Sequence, residues 1–219
     1  MIAEGDRIAV GVSGGKDSLA LLCALRHMQR FYPKKYTLTG ITVDLGLGAD
    51  YSGIVSYCET LGVDYQVIKT DIGRVIFEDR KEKNPCSLCS KMRKGTLDDA
   101  AVALSCNKVA FGHNKDDAAE TLLMSLFYEG RIHTFSPVTY LSRKDIYSIR
   151  PLLLTPEADI IDFSKSENFP VVKNPCPADG VTKRAEMKKF IKENAEKFPM
   201  IGDKVFTAIA RSSLKGWKQ

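Results

Sequence analysis

Residues 7–18 have the sequence Arg-Ile-Ala-Val-Gly-Val-Ser-Gly-Gly-Lys-Asp-Ser, and this stretch decides the fold. A β-rich apolar run at 8–12 leads into a polar loop, and a helical pattern begins at Leu19. A strand, a glycine turn and a helix N-terminus together present backbone N–H groups to a phosphate. We therefore predict a phosphate-binding loop, whose six residues are Ser13, Gly14, Gly15, Lys16, Asp17 and Ser18.

The side chains of this loop suit a nucleotide. Lys16 adds a point charge, and Asp17 and Ser18 are suited to cap the helix and help to hold Mg²⁺. The loop is not the usual nucleotide P-loop, because Gly11 lies one residue too close to the Gly15-Lys16 pair and an aspartate follows the lysine. A dinucleotide fingerprint also fails, because no third glycine has the right spacing. A merely structural tight turn is the alternative interpretation.

The composition is that of a globular protein. The 219 residues are 44% hydrophobic and 27% charged, which fits one large domain or a domain with an appendage. Nothing resembles a signal peptide and no apolar run reaches membrane-spanning length, so we expect a cytoplasmic protein with no membrane partner. The formal net charge is +5, and residues 183–218 are Lys-rich. This basicity suits a polyanion such as RNA; solvated helix faces are the alternative.

Apolar β-rich runs alternate with helical segments along the first 150 residues. The predicted strands span 7–12, 38–43, 65–69, 108–111 and, more weakly, 147–150. The predicted helices span 17–30, 51–61, 88–104, 116–128, 157–167, 183–197 and 202–213. This alternation predicts an α/β fold with a parallel sheet covered on both faces. Ligands bind beyond the carboxyl ends of such strands, where we expect the loop, Asp44 and Gly112 to face one crevice.

The pattern changes after Pro151. No clear strand follows, and four prolines punctuate the segment up to residue 177. We predict a nucleotide-binding domain at 1–150 and a basic helical appendage at 151–219.

Three of the six cysteines form a second constellation. Cys86 and Cys89 have Cys-x-x-Cys spacing, and Asn-Pro-Cys occurs both at Cys86 and at Cys176. A structural zinc site has four protein ligands, whereas a [4Fe-4S] cluster bound by three thiolates leaves one iron without a protein ligand. Zinc completed by His133 or a carboxylate, and a redox pair, are the alternatives, and spacing alone does not choose among them. The other cysteines are interpreted as small buried side chains.

A third constellation follows the strand at 108–111 and opens a helix. Gly112 permits a tight exit, Asn114 or Asp116 is suited to cap the helix, and Glu120 is placed to reach back. The functional interpretation adds that Asp116 and Asp117 orient Mg²⁺ or act as a base. A helix cap needs only one such side chain, and here two adjacent carboxylates lie beside a nucleotide loop. We therefore favour the functional interpretation over a cap alone.

Together these elements resemble the TtcA family of tRNA thiolation enzymes, within the PP-loop ATP pyrophosphatase superfamily. The resemblance covers nearly the whole chain. The stretches that carry it are 4–7, 13–18, Cys86-Ser87-Leu88-Cys89 with the following Ser90-Lys91-Met92-Arg93-Lys94-Gly95, 112–117, 127–130 and 149–152. Two departures stand out: no second thiol follows Cys176 within three residues, and the chain begins almost at the first strand, so we expect the family's leading helix to be truncated or dispensable.

The resemblance implies a Rossmann-like domain that binds ATP·Mg²⁺ on the loop at 13–18. The adenine is expected near Val43 and Asp44, with Gly112 and His113 also at the ATP. The resemblance further implies that the C2 oxygen of a tRNA pyrimidine attacks the α-phosphate of ATP and that pyrophosphate leaves. The pyrimidine that the family leads us to expect is cytidine 32. Lys16 stabilises the developing charge. The implied catalytic carboxylate is Asp117, with Asp116 beside it.

The same resemblance implies the remaining cofactor and partners. A [4Fe-4S] cluster on Cys86, Cys89 and Cys176 delivers sulfur, which comes from sulfide or a persulfide made by a cysteine desulfurase. A homodimer is expected. The candidate RNA-binding residues are Lys91, Arg93, Lys94, Arg131, Arg143, Lys183 and Arg184. The alternatives are a 2-thiouridine-forming thiolase, an adenylating ligase such as a lysidine synthetase, and a non-catalytic iron–sulfur sensor of nucleotide or RNA.

Overall fold

Alternating strands and helices build a sheet whose switch point lies beside the glycine loop. The computed structural model describes residues 1–82, 85–173, 175–177 and 182–217. The strands are β1 Asp6–Gly11, β2 Tyr36–Asp44, β3 Asp64–Lys69, β4 Lys108–Ala110, β5 Val138–Leu141 and β6 Ile146–Ile149. The helices are α1 Lys16–Met28, α2 Ser52–Leu61, α3 Ile72–Arg74, α4 Pro85–Ala103, α5 Lys115–Glu129, α6 Glu157–Ser166, α7 Lys183–Glu193 and α8 Ile201–Arg211. A π-helical turn, Val75–Asp79, continues α3.

The strand order is β3-β2-β1-β4-β6-β5, and every neighbouring pair is parallel except β5 with β6. The predicted α/β fold is therefore confirmed, with one addition. Strand β5 was not predicted, because it is only four residues long and antiparallel at the edge. The order reverses between β1 and β4, which opens a crevice beyond their carboxyl ends.

Both faces of the sheet are covered, as strand alternation requires. Ile8 and Val10 of β1 point into a core with α1, α2 and α6, whereas Ala9 packs on the other face with α4 and the turn after β3. A third, smaller cluster joins α5 to Leu153 and to Ile209 of α8. The C-terminal helices therefore pack on α1 and α5, and the domain division at residue 150 stays a prediction.

Two local predictions are corrected. Helix α1 is preceded by Gly15 with no side-chain capping bond, so neither Asp17 nor Ser18 caps it. Helix α4 begins at Pro85 rather than at residue 88, since proline fits the first turn of a helix. Asn84 and Asn174, which belong to the repeated Asn-Pro-Cys, lie outside the described residues. Within the described ranges, no helix is both long and apolar enough to cross a membrane.

Candidate active site

The glycine loop is held in shape by its own hydrogen bonds. The Ser18 hydroxyl accepts from the Ser13 backbone N–H (3.1 Å) and donates to the Gly15 carbonyl (2.9 Å). Gly14 has a φ of +86°, a left-handed conformation that favours glycine. Its carbonyl accepts a hydrogen bond from the Val172 N–H at 2.9 Å. The loop therefore carries its geometry before any ligand arrives, and a C-terminal segment braces it.

Lys16 sits in a chain of opposite charges. Its Nζ contacts an oxygen of Asp17 at 2.9 Å and Oε1 of Glu157 at 2.9 Å. Glu157 also accepts two hydrogen bonds from Lys188. Burial disfavours the charged form of Lys16, but the bonds to Glu157 and Asp17 outweigh it and raise the pKa. Lys16 therefore remains positively charged within the loop.

The third constellation is tied to the loop by polar contacts. Asn114 caps α5 in a capping box, in which it and Asp117 each accept from the other's backbone N–H at 3.0 Å. The Asn114 side chain also donates to Asp17 at 3.1 Å. The cap at Asn114 is confirmed, but the residue that reaches back is Asp117, not Glu120. The loop after β1 and the helix after β4 are therefore locked together.

The two predicted carboxylates have different surroundings. Asp116 accepts from the first backbone N–H of α6, that of Glu157, at 2.7 Å and does not line the cavity described below. Asp117 lines that cavity, and its Oδ1 lies 3.4 Å from Arg184. Burial raises the pKa of Asp117, while Arg184 opposes the shift. Asp116 thus acts on the start of α6, and Asp117 is the carboxylate that faces the crevice.

A cavity of about 500 Å³ lies beyond the carboxyl ends of β1, β2 and β4. It is bounded by part of the glycine loop and by residues from the second and third constellations. The predicted site residues that line it are Ser13, Asp17, Ser18, Val43, Cys86, Cys89, Arg93, Lys94, Gly112, His113, Asp117, Cys176 and Arg184. Its volume is typical of a small-molecule site.

A smaller cavity of about 220 Å³ adjoins the first and shares Ser13 and Val43 with it. Gly15, Asp44 and Tyr51 line only the smaller cavity. The predicted adenine neighbours, Val43 and Asp44, therefore lie beside the glycine loop at the end of β2.

The three cysteines come from two distant segments and line the same cavity. Cys86 and Cys89 lie in the first two turns of α4, and Cys176 lies far along the chain. Burial raises the pKa of the Cys89 thiol, Arg93 opposes this, and the nearby Cys176 and Cys86 add to it. Cys86 and Cys176 are thus both close enough to Cys89 to act on its charge.

Among the described residues, no three Cys, His, Asp or Glu side chains form a group that would hold a single metal ion. His133, the alternative zinc ligand, does not line the cavity. Three soft thiolates spread around one cavity fit a multi-iron cluster, in which each thiolate takes a different iron, better than a lone zinc ion.

The predicted RNA-binding cations divide into two groups. Arg93, Lys94 and Arg184 line the cavity. The others lie outside it, exposed on α4, after α5, in the β5–β6 turn and at the start of α7: Lys91, Arg131, Arg143 and Lys183. Arg131 pairs with Glu129, and the Lys183 ammonium lies 4.5 Å from the Tyr128 ring. The outer set is therefore scattered over several surfaces.

Sequence reasoning missed several residues that line the cavity, above all Arg150 and Phe77. Arg150 lies within the stretch 149–152 that carries the family resemblance, and this was the signal that could have placed it at the site. Phe77 enters from the π-helical turn, a feature common at functional sites. His113 packs between the rings of Phe111 and Phe135. Burial, and then the cations Arg150, Arg184 and Lys94, lower the pKa of His113 to about 3, so it is neutral near pH 7.

A glycine loop between β1 and α1 at the switch point of a mostly parallel sheet defines a nucleotide-binding α/β protein. Residues 3–195 match the PP-loop domain. The tRNA-cytidine(32) 2-sulfurtransferase of Citrifermentans bemidjiense is 36% identical over 214 residues, which are 96% of this chain and 84% of that protein. That of Geobacter sulfurreducens is 37% identical, over 95% and 83% of the two chains.

Among solved structures, the U34-tRNA thiolase NcsA from Methanococcus maripaludis with its [4Fe-4S] cluster superimposes with a TM-score of 0.75. It is 25% identical, and the match covers 94% of this chain and 71% of that one. The chain belongs to the TtcA family of the PP-loop enzymes.

Proposed function

We propose that the protein is an ATP-dependent tRNA sulfurtransferase, which replaces the C2 oxygen of a tRNA pyrimidine with sulfur. One observation carries this proposal: Ser13, Asp17 and Ser18 of the glycine loop line one cavity together with Cys86, Cys89 and Cys176. A carbonyl oxygen is a poor leaving group, and adenylation makes it a good one. Activation and sulfur delivery must therefore occur at the same carbon, which requires both groups in one place.

The first step uses the loop. The phosphates of ATP lie against the backbone N–H groups at the start of α1, with Lys16 beside them. The C2 oxygen attacks the α-phosphorus, and the bond to the β-phosphate oxygen breaks to release pyrophosphate. The loop is already shaped by its Ser18 hydrogen bonds, so it stabilises the developing charge without reorganising. In the second step sulfur attacks C2 and AMP leaves with the original oxygen.

The proposed sulfur site is the cysteine trio. A [4Fe-4S] cluster held by Cys86, Cys89 and Cys176 would keep one iron free of protein ligands, and a sulfide bound to that iron would be the sulfur delivered to C2. The proximity of the three thiols supports this, as does the cluster of the M. maripaludis thiolase. Apolar side chains next to the thiols, Leu97 and Phe77 among them, limit water around the reacting carbon.

Mg²⁺ and the carboxylates form the next part of the proposal. Asp17 and Asp117 both line the cavity, and carboxylate oxygens are the ligands that Mg²⁺ prefers. We assign Asp117 a second task, which is to hold Arg184 in the crevice through its 3.4 Å contact. Asp116 supports the site from behind by anchoring the start of α6.

The substrate proposal is cytidine 32 of tRNA, because the relatives at 36–37% identity are named for that nucleoside. A uridine is the second candidate, since the structural neighbour acts on U34. Arg93, Lys94 and Arg184 would meet the nucleotide inside the cavity, and the exposed cations would meet the RNA backbone. The target base must leave its stack to reach the α-phosphate, so we propose base flipping.

Three further expectations belong to this proposal. The sulfur comes from sulfide, or from a persulfide made by a cysteine desulfurase whose outer sulfur a thiol reductant first reduces to sulfide. The protein works as a homodimer, and the reaction takes place in the cytoplasm, where tRNA is found. Light scattering on the purified protein tests the dimer, and thiolation assays with each donor test the sulfur source.

Mass spectrometry of tRNA nucleosides tests the proposal as a whole. Cells that lack the protein are expected to lose one 2-thiopyrimidine and regain it when the wild-type gene is returned. The sequence position of the lost nucleoside distinguishes cytidine 32 from uridine 34. An unchanged set of thiolated nucleosides would refute the assignment.

A further inference from the structure

Arg150 is a buried cation at the carboxyl end of β6. Only 8% of its surface is exposed, and the side chain lines the main cavity. One guanidinium nitrogen, Nη1, donates to the Ser136 carbonyl at 2.6 Å, and the group lies 5.0 Å from the Phe135 ring. Its Nε is buried and has no hydrogen-bond partner among the residues that the structure describes. The Arg150 guanidinium is therefore held in place by the Ser136 carbonyl and the Phe135 ring, and it still has N–H groups with which to bind a ligand.

No carboxylate among the described residues balances this charge. Among the ion pairs of the part of the chain that the structure describes, none includes Arg150. Burial alone lowers its pKa to about 10, so it remains charged near pH 7. A buried charge without a counter-ion costs stability, which an anionic ligand would offset.

Other groups in the cavity reinforce the positive charge around Arg150. Lys94 and Arg184 line the same cavity, and both act on His113 together with Arg150. Arg184 forms an ion pair with Asp117, and Lys94 interacts electrostatically with Asp98. Arg150 itself stays unmatched. His113, neutral near pH 7, adds a polar imidazole without adding an anion.

The order of the strands separates Arg150 from the glycine loop, where the phosphates of ATP are proposed to bind. The glycine loop follows β1, and Arg150 follows β6, with β4 between them. Neighbouring strands lie about 4.8 Å apart, so the ends of β1 and β6 are about 10 Å apart. The adenine side of the site, at Val43 and Asp44, lies in the opposite direction, toward β2. The Arg150 guanidinium donates to the carbonyl of Ser136, which leads into β5 on the far side of β6, so Arg150 is held on the side of the site away from the glycine loop.

We propose that Arg150, with Lys94 and His113 beside it, binds a backbone phosphodiester of the RNA substrate next to the flipped nucleotide. This inference rests on the proposed function, since it takes tRNA as the substrate. The guanidinium fork matches two phosphate oxygens, and the surrounding rings exclude competing water. The phosphodiester would fix the nucleotide on the β4–β6 side while ATP occupies the β1–β2 side.

The test is the salt dependence of tRNA binding by the full-length protein. Arg150→Gln removes the charge but keeps an amide able to donate to the Ser136 carbonyl, and Arg150→Lys keeps the charge without the fork. The control is Arg30→Gln, which removes an exposed arginine just beyond the C-terminal end of α1, opposite the cavity. ATP affinity and thermal unfolding are measured for every variant.

Arg150→Gln is expected to weaken tRNA binding about 10-fold and to make the slope of log K against log salt shallower by about one. ATP affinity should be unchanged. Arg150→Lys should keep nearly the wild-type slope with lower affinity, which decides the matter if the Gln variant does not fold. Arg30→Gln should behave as wild type.

A wild-type slope in Arg150→Gln, or wild-type affinity in Arg150→Lys, would overturn the phosphodiester site alone. So would a loss of ATP affinity with tRNA binding intact, because the phosphate would then belong to ATP. Failure of the wild-type protein to bind tRNA at all would overturn this inference and the proposed function together.

Discussion

The two ends of the cavity are built in different ways. The glycine loop is six consecutive residues, shaped by hydrogen bonds between Ser13, Gly15 and Ser18. The cysteine end brings the first turns of α4 together with Cys176, which is far away in the sequence. A loop made of contiguous residues carries its geometry locally, whereas the cysteine end exists only when the chain is folded. Mutations at the cysteine end should therefore block sulfur delivery and spare nucleotide activation, whereas mutations in the loop should reduce both, because delivery follows activation.

The largest expected separation comes from the cysteine end. Cys89→Ala should abolish thiolation, while tRNA-dependent pyrophosphate release stays within a few-fold of wild type. Cys106→Ala is the matched control, because this buried cysteine does not line the cavity. The measurement is thiolated nucleoside and pyrophosphate from the same reaction. Equal losses of both products would show that the two ends are not separable.

Lys16→Ala tests the loop end. We expect pyrophosphate release and thiolation to fall together by about 100–1,000-fold, because one charge-stabilising group is lost. Lys34→Ala, an exposed lysine between α1 and β2, should leave both rates unchanged. Single-turnover pyrophosphate release measures the effect. A variant that loses thiolation but releases pyrophosphate normally would remove Lys16 from the activation step.

Glu120 tests how α5 stabilises the loop end. Burial, and then Asp117, raise its pKa to about 7, so the folded protein holds this proton longer than the unfolded chain. Stability from this group is therefore present below pH 4.5 and is lost as the pH rises toward 7. Lys188, Arg184 and Glu157 also act on this carboxyl.

Glu120→Gln should therefore gain stability over wild type as the pH rises from 5 to 8, by about 2–3 kcal/mol. Urea unfolding at several pH values measures the difference. The control for the change of Glu to Gln itself is Glu59→Gln, at an exposed position on α2. A difference between Glu120→Gln and wild type that does not change with pH would contradict the raised pKa.

Gly112→Ala gives the smallest expected effect and tests the junction of the loop with the third constellation. A Cβ at this position would lie 2.8 Å from the Asp17 carbonyl oxygen and 3.0 Å from the Ser18 nitrogen. Because both are backbone atoms of α1, we expect a loss of about 1–3 kcal/mol in stability and weaker ATP binding. Gly95→Ala, which meets nothing within 4 Å, is the control. Calorimetry measures both, and unaltered ATP binding would argue against the junction.

The sequence predicted the loop end far better than the cysteine end. The phosphate loop and the Asn114 cap follow from short contiguous patterns whose geometry is local. The start of α4 was placed too late, because the proline at residue 85 suggested a loop although a helix tolerates it in its first turn. Strand β5 gave no periodic signal, since it depends on the pairing with β6. Arg150 stands in the stretch 149–152 that carries the family resemblance, but its place in the cavity depends on where β6 ends.

The most direct test of the central claim is a paired measurement on Cys176→Ala. The variant and the wild type are purified without air and incubated with ATP, tRNA and a sulfur source, and pyrophosphate and 2-thiocytidine are quantified together. The account predicts that the wild type makes both products in equal amounts, and that Cys176→Ala releases pyrophosphate but makes no thiolated nucleoside. Normal thiolation by Cys176→Ala would contradict it.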